Sequence, residues 1–136
     1  MSGRVCLEGD GWVIRRGSPP TRLWRAALRP HWGVQPADDG RSVVEVYRGL
    51  NLLDAEEGPR APVLVFHAAG RPAVTVRLDQ VVRRPDRLRP TVSHKVWASS
   101  FAFEPGGAYR LVTDEGLAFR FDPVSGRTLD RALLRP

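Results

Sequence analysis

The sequence predicts an all-β protein built from short antiparallel strands, and two observations carry that prediction. Apolar and aromatic residues recur at alternate positions in many short stretches, which is typical of strands with one buried face. Clusters of the 13 glycines and 12 prolines separate those stretches, and both residues favour turns. We therefore expect about ten short strands in three groups, at 4–28, 43–78 and 97–131.

Segment 97–129 shows this alternation most clearly. Leu117, Phe119 and Phe121 share one face of the strand predicted at 117–122, with small or polar residues between them. Turn-forming clusters divide the segment at 105–107, 114–116 and 122–126. The pattern predicts a four-stranded antiparallel meander.

Within this segment, the aromatic–acid pair Phe121–Asp122 precedes a turn at Ser125–Gly126. In that order the segment resembles a single blade of a repeat β-propeller of the WD40 or quinoprotein-like kind. It departs from the WD40 pattern in having Phe121 where tryptophan is typical, and in lacking the Gly-His pair. The resemblance implies a four-stranded blade and no catalytic residues, because blades are scaffolds whose function lies on their loops.

The first group of strands begins with a hairpin. Residues 4–8 and 12–16 alternate around the turn at 9–11, which contains two glycines and favours a tight connection. A third strand is expected at 22–28, after a break at two prolines. Residues 29–41 contain two prolines and three Asp or Gly turn residues in a row, so we expect a loop there.

The second group centres on residues 63–67, an unbroken apolar run that indicates a strand buried on both faces. It pairs in a predicted hairpin with 73–78. Residues 43–48 form the preceding strand, and 50–53 are expected to continue it after a bend at Gly49.

The basic connection 79–90 separates the second and third groups. Asp79 is expected to cap one turn of helix before Pro85 ends it. Residues 129–136 fit a strand or a short helix equally well. The whole chain, 1–136, is expected to be a single β-rich domain, either a sandwich or open barrel, or a set of blade-like sheets that identical chains complete into a ring.

Composition excludes several classes of protein. No run of about 18 apolar residues exists, so no membrane-spanning helix is expected. The first twelve residues lack the apolar core of a secretory signal, and a cytoplasmic location is expected. Cys6 is the single cysteine, which excludes an internal disulfide and an all-cysteine zinc site.

The chain is basic, with a net charge of +6 and a pI near 10.9. Lys95 is its only lysine among 21 basic residues. An arginine bias of this size, with many Ala, Gly and Pro, is typical of the GC-rich genomes of many bacteria. The arginines are also spread along the chain. We therefore favour composition over phosphate binding as the origin of the charge.

Catalytic chemistry is not indicated, and no cofactor is predicted. The three histidines, His31, His67 and His94, lack metal-ligand spacing. Nucleophile-elbow, P-loop and dinucleotide-binding motifs are absent from the sequence. The carboxylates fall in adjacent pairs within turns, whereas acid–base catalysis needs carboxylates that face each other. The chain is interpreted as a non-enzyme.

Three hypotheses of function follow. The first is a non-catalytic module that binds another protein, or a second copy of itself, through loops and sheet edges. Four tryptophans and many arginines support it, because these residues are enriched in interface hot spots. An acidic stretch at 38–57 alternates with basic stretches, which suits electrostatic complementarity with a partner.

The other two hypotheses rest on particular loops. A nucleic-acid site would place the arginines of the 79–90 connection on phosphates and stack Trp32 on a base. A small-ligand or carbohydrate site would be built around Trp32, His31 and Trp12. The candidate binding residues are therefore His31, Trp32, Arg83, Arg84, Arg87 and Arg89.

Overall fold

The computed structural model describes residues 4–134 and confirms the all-β fold class, with 47% strand and 5% helix. Fourteen strands form four antiparallel sheets among these residues. The strands are β1 (Val5–Leu7), β2 (Trp12–Arg15), β3 (Thr21–Arg25), β4 (Gly33–Pro36), β5 (Ser42–Val46), β6 (Leu52–Asp54), β7 (Pro62–Ala68), β8 (Val74–Arg77), β9 (Arg89–Pro90), β10 (His94–Val96), β11 (Ala98–Phe103), β12 (Tyr109–Thr113), β13 (Leu117–Phe121) and β14 (Thr128–Leu133).

Three of the sheets correspond to the three predicted groups. Their strand orders are β1-β2-β3, β4-β5-β7-β8 and β11-β12-β13-β14. The hairpin of β1 and β2, the hairpin of β7 and β8, and the four-stranded meander of the third group all form as predicted.

The β4-β5-β7-β8 sheet lies between the other two large sheets. On one face Val44 and Phe66 join the main hydrophobic core, where Phe66 contacts Tyr109 at 5.8 Å and Phe121 at 5.2 Å between ring centroids. On the other face Val43 packs with residues of β1 and β2 in a second core. Burial on both faces explains the unbroken apolar run of β7, which was predicted from the sequence.

A fourth, small sheet with the order β6-β10-β9 was not predicted. Residues 50–53 were expected to continue β5, and that prediction is wrong. The chain turns at Gly49, where a Cβ atom would lie 2.1 Å from the carbonyl oxygen of Leu52, so only glycine fits. β6 then pairs with β10 in a different sheet.

The prediction of a loop over 29–41 is also wrong, because β4 lies inside it and pairs with β5. β4 is the edge strand of its sheet, and a proline at the end of an edge strand removes no necessary hydrogen bond. Pro36 therefore does not exclude a strand there.

The predicted helical turn forms as α1 (Leu78–Val81), but the residue that precedes it is Arg77 rather than Asp79. Gln80 accepts the backbone N–H of Arg77 at 2.8 Å, and Asp79 lies in the first turn, 3.1 Å from the Arg77 guanidinium. Among the described residues, no helix has the length and apolar character needed to cross a membrane.

The end of the chain, left open between strand and helix, is strand as far as Leu133. Leu134 adds one more hydrogen bond, from its backbone N–H to the carbonyl of Gly116 at 2.7 Å. The last two residues of the predicted segment lie outside the described part of the chain. β14 is thus the outer strand of the third sheet.

Candidate interaction surface

The open edge of β14 is the most exposed regular element of the described chain. All six of its residues are exposed. Leu129 and Leu133 expose 55% and 54% of their surface, and Leu134, which follows, exposes 40%. These three residues are half of the exposed large apolar residues of the described chain, so exposed apolar surface is concentrated at this edge.

The ladder between β13 and β14 determines which backbone groups face outward. Leu134 bonds to β13 through its N–H, and successive residues of an antiparallel strand alternate between bonding to the neighbour and pointing away. Ala132 therefore bonds to β13, whereas Arg131 and Leu133 direct their N–H and C=O groups to the open edge. These two residues lie opposite Phe119 and Leu117 in the register.

A groove of about 440 Å³ runs beside this edge. Five residues line it: Arg83, Leu117, Arg131, Ala132 and Leu133. Neither guanidinium makes an ion pair within residues 4–134. The groove therefore combines apolar surface with two unpaired positive charges.

Glu115 fixes the backbone at Arg83 and Arg84. Its two carboxylate oxygens accept the backbone N–H groups of Arg83 and Arg84 at 2.7 and 2.8 Å. Glu115 belongs to the turn between β12 and β13, and the neighbouring Asp114 pairs with Arg89 at 3.1 Å. The turn thus anchors the basic connection to the third sheet, so this adjacent pair of acids has a structural role.

The structure divides the six predicted site residues into two separate groups. Arg83, Arg84 and Arg89 meet at the turn of β12 and β13, and Arg87 lies on the same connection with an exposed side chain. His31 and Trp32 belong to the turn before β4. No hydrogen bond, ion pair or ring contact between described residues joins the two groups.

Trp32 is half-buried and packs against the main core. Its ring meets that of Tyr47 edge to face at 5.8 Å, and the guanidinium of Arg29 covers it at 4.6 Å. His31 is exposed with φ +68°. A positive φ directly after Pro30 is the combination typical of a type II turn. Trp12 stacks with a different arginine, Arg22, at 4.9 Å.

One buried ionisable pair lies between the first two sheets. Glu45 is fully buried, and its carboxylate lies 2.6 Å from Nε2 of His67 and accepts the backbone N–H of Arg29 at 2.7 Å. Because Glu45 has no solvent exposure, it adds nothing to the acidic surface that the sequence suggested at 38–57. Across residues 4–134, no group of three or more His, Cys, Asp and Glu side chains is placed to hold a metal ion.

No protein-family model, curated protein or solved structure matches the chain. The surface must therefore be interpreted from its own geometry. Sequence reasoning missed Arg131, Leu133 and Glu115. The segment 129–136 fitted a strand and a helix equally well, so the sequence did not place Arg131 and Leu133 at a sheet edge. The contribution of Glu115 depends on a contact 31 residues away in sequence.

Proposed function

We propose that the chain is a non-catalytic protein-interaction module whose contact surface is the open edge of the β11-β12-β13-β14 sheet. The observation that carries the proposal is β14 itself, a six-residue strand with every side chain exposed and with outward backbone groups at Arg131 and Leu133. An extended partner segment that pairs with such an edge gains main-chain hydrogen bonds, and neighbouring pockets supply its specificity.

The other edges of the large sheets are shorter, interrupted or more buried than β14. Natural proteins protect edges with short strands, prolines, charges and bulges. β1 has three residues, β8 has four, β4 ends in proline, β3 carries two arginines, and β11 has a bulge near its start. β14 also carries two charged residues, but its irregularity lies at its first residues, so Asp130 to Leu133 pairs regularly with β13. Among these edge strands β14 is the one with every residue exposed, and it is the edge that we assign to a partner.

Site-specific photo-crosslinking in the native cell tests this proposal. A photoreactive residue replaces Leu133 in one version of the chain and Val92, a fully exposed apolar residue of the β9–β10 turn, in the control. We expect a product of discrete mass from position 133 alone. Arg131→Pro should abolish this crosslinked product. Proline at this position removes an N–H that points to the open edge, and it leaves the hydrogen bonds between β13 and β14 intact. Equal labelling from both positions, or no effect of the proline, would refute the proposal.

A nucleic-acid site on the basic connection is the second candidate. Its support is that the guanidinium groups of Arg84 and Arg87 are exposed and make no ion pair within residues 4–134. The packing of Trp32 against Tyr47 and Arg29 separates the proposed stacking residue from these arginines. Phosphate contacts alone would give binding that falls steeply with salt. Loss of oligonucleotide binding in an Arg84→Glu, Arg87→Glu double variant tests this candidate.

A further inference from the structure

We infer that the segment bound at the β14 edge carries an Asp or Glu opposite Arg131 and an apolar side chain two positions away, opposite Leu133. This inference rests on the proposed function and deepens it, because it names the chemistry of the partner. Three features of the surface lead to it: its charge, its apolar contact and the poor fit of a second copy.

The face of β14 that borders the groove carries positive charge. Arg131 and Arg83 both line the groove without an acidic partner among the described residues. Asp130 directly precedes Arg131, but its side chain lies on the opposite face of the sheet. There its carboxylate is 2.8 Å from the Arg120 guanidinium. The Glu115 carboxylate is engaged by the backbone N–H groups of Arg83 and Arg84. A carboxylate on the groove side of an added strand would therefore meet two guanidinium groups that form no ion pair among the described residues.

The apolar position follows from the pleat of the sheet. Residues two apart in a strand share a face, so Arg131 and Leu133 both point to the groove side. Leu133 lies beside Leu117 in the register and remains 54% exposed. A Val, Ile or Leu opposite Leu133 would cover that surface, and cross-strand pairs of this kind each contribute about 0.2–1 kcal/mol.

A second copy of the chain fits this edge poorly. Two identical antiparallel strands related by a two-fold axis pair around one residue, since paired side chains must point to the same face. The registers centred on Asp130 and on Arg131 pair the most residues of β14, whose bounds are Thr128–Leu133. Each places a charged residue opposite its own copy, and like charges directly opposite are destabilising. A register centred on Ala132 avoids this repulsion but pairs three residues of β14 and sets each Arg131 against a leucine. A different chain with complementary charge is the better occupant.

Binding of short synthetic peptides to the full chain tests the inference. The probe is an extended Thr/Val-rich peptide with the sequence Leu-x-Glu at its centre, because a strand added antiparallel to β14 reaches Leu133 before Arg131. Binding is measured by fluorescence anisotropy at low salt. Matched peptides replace Glu by Lys, replace Leu by Ser, or replace Leu by proline, which removes a backbone donor to β14. We expect the Leu-x-Glu peptide to bind at least about tenfold more tightly than the Lys peptide, a difference of about 1.4 kcal/mol.

Charge reversal on the protein locates the contact. Arg131→Glu and Arg83→Glu should each reverse or abolish the preference for the acidic peptide. Arg87→Glu changes the net charge equally but lies outside the residues that line the groove, so it should change affinity by less than about twofold. Leu133→Pro should abolish binding of every peptide, because it removes an outward N–H of the edge.

The outcomes separate this inference from the proposed function. If the acidic and basic peptides bind with equal affinity and Leu133→Pro abolishes the binding of both, the preference for an acidic partner is wrong and the edge remains the contact surface. A dimer in light scattering that Leu133→Pro dissociates would identify a second copy as the occupant. Displacement of the acidic peptide by an oligonucleotide, with equal loss in Arg87→Glu, would assign the surface to nucleic acid. Absence of binding by every peptide would overturn the inference, and the crosslinking result would then decide the proposed function.

Discussion

The buried pair of Glu45 and His67 gives the sharpest prediction about stability. Glu45→Ala removes a carboxylate that has no solvent exposure and that bonds to His67 Nε2 at 2.6 Å and to the Arg29 N–H at 2.7 Å. Both partners then remain between the two sheets without an acceptor. Hydrogen bonds to charged groups contribute about 1.5–3 kcal/mol each, so the loss of both bonds costs on the order of 3–5 kcal/mol.

We therefore expect Glu45→Ala to lower the free energy of unfolding by about 3–5 kcal/mol, a large part of the total for an ordinary domain. Urea unfolding followed by circular dichroism measures this loss as a lower midpoint at an unchanged slope. Glu56→Ala is the matched control, because Glu56 is exposed and has no ion pair within residues 4–134. It should change stability by less than about 0.5 kcal/mol.

A double-mutant cycle shows whether the loss comes from the pair itself. His67→Leu alone leaves Glu45 buried with the Arg29 N–H as its partner, so it should also be strongly destabilising. Glu45→Leu with His67→Leu replaces both polar groups by apolar ones, and its cost should be smaller than the sum of the costs of Glu45→Leu alone and His67→Leu alone by about 1–3 kcal/mol. Additive single changes, or a Glu45→Ala loss below about 1 kcal/mol, would refute the reasoning.

Three further predictions concern tyrosine and turn residues. The hydroxyl of Tyr109 is buried without a hydrogen-bond partner among residues 4–134, so Tyr109→Phe should leave the urea midpoint unchanged or raise it, and a large loss would contradict this assignment. Burial, with a hydrogen bond to Glu57, raises the pKa of Tyr47 to about 12, and burial also raises the pKa of Tyr109. The folded chain therefore holds these two tyrosine protons more tightly than the unfolded chain does. The free energy of unfolding should be highest below about pH 10 and should fall as the pH rises to about 12. Tyrosinate absorbance that appears near pH 10 in the folded chain would contradict this prediction. His31→Gly should stabilise the chain by up to about 1 kcal/mol in thermal melts, because glycine adopts the positive φ without strain, and His31→Ala should not.

The alternating pattern predicted the strands whose two faces differ, and local turn chemistry predicted their connections. β13, with Leu117, Phe119 and Phe121 on its buried face, is the clearest case. The same reasoning failed where burial is partial or tertiary contact decides. β4 is half-buried along its whole length and pairs only because β5 lies beside it. β6 was assigned to the wrong sheet because the local sequence does not specify its partner.

The candidate surface was predictable only in part for a related reason. The arginine run was visible in the sequence, and the structure places it on an exposed connection as expected. The acid that fixes it, Glu115, lies in a turn about 30 residues away and shows no periodic signal. Trp32 was a candidate binding residue because a large aromatic in a predicted loop can contact a ligand. In the structure its ring packs against the main core and contacts Tyr47 and Arg29, which the sequence did not indicate.

The distribution of charge explains why a net charge of +6 does not make the whole surface a basic one. Most ion pairs form within one sheet or between neighbouring turns, as Arg120 does with Glu104 and Asp130. Such pairs neutralise their own regions and contribute little to stability when exposed. Positive charge therefore persists where an arginine has no acid within reach, and at the β14 edge this condition coincides with exposed leucine and outward backbone groups. A cation beside unpaired backbone donors attracts a carboxylate-bearing strand more than either feature would alone, because the charge orients the strand while the ladder forms.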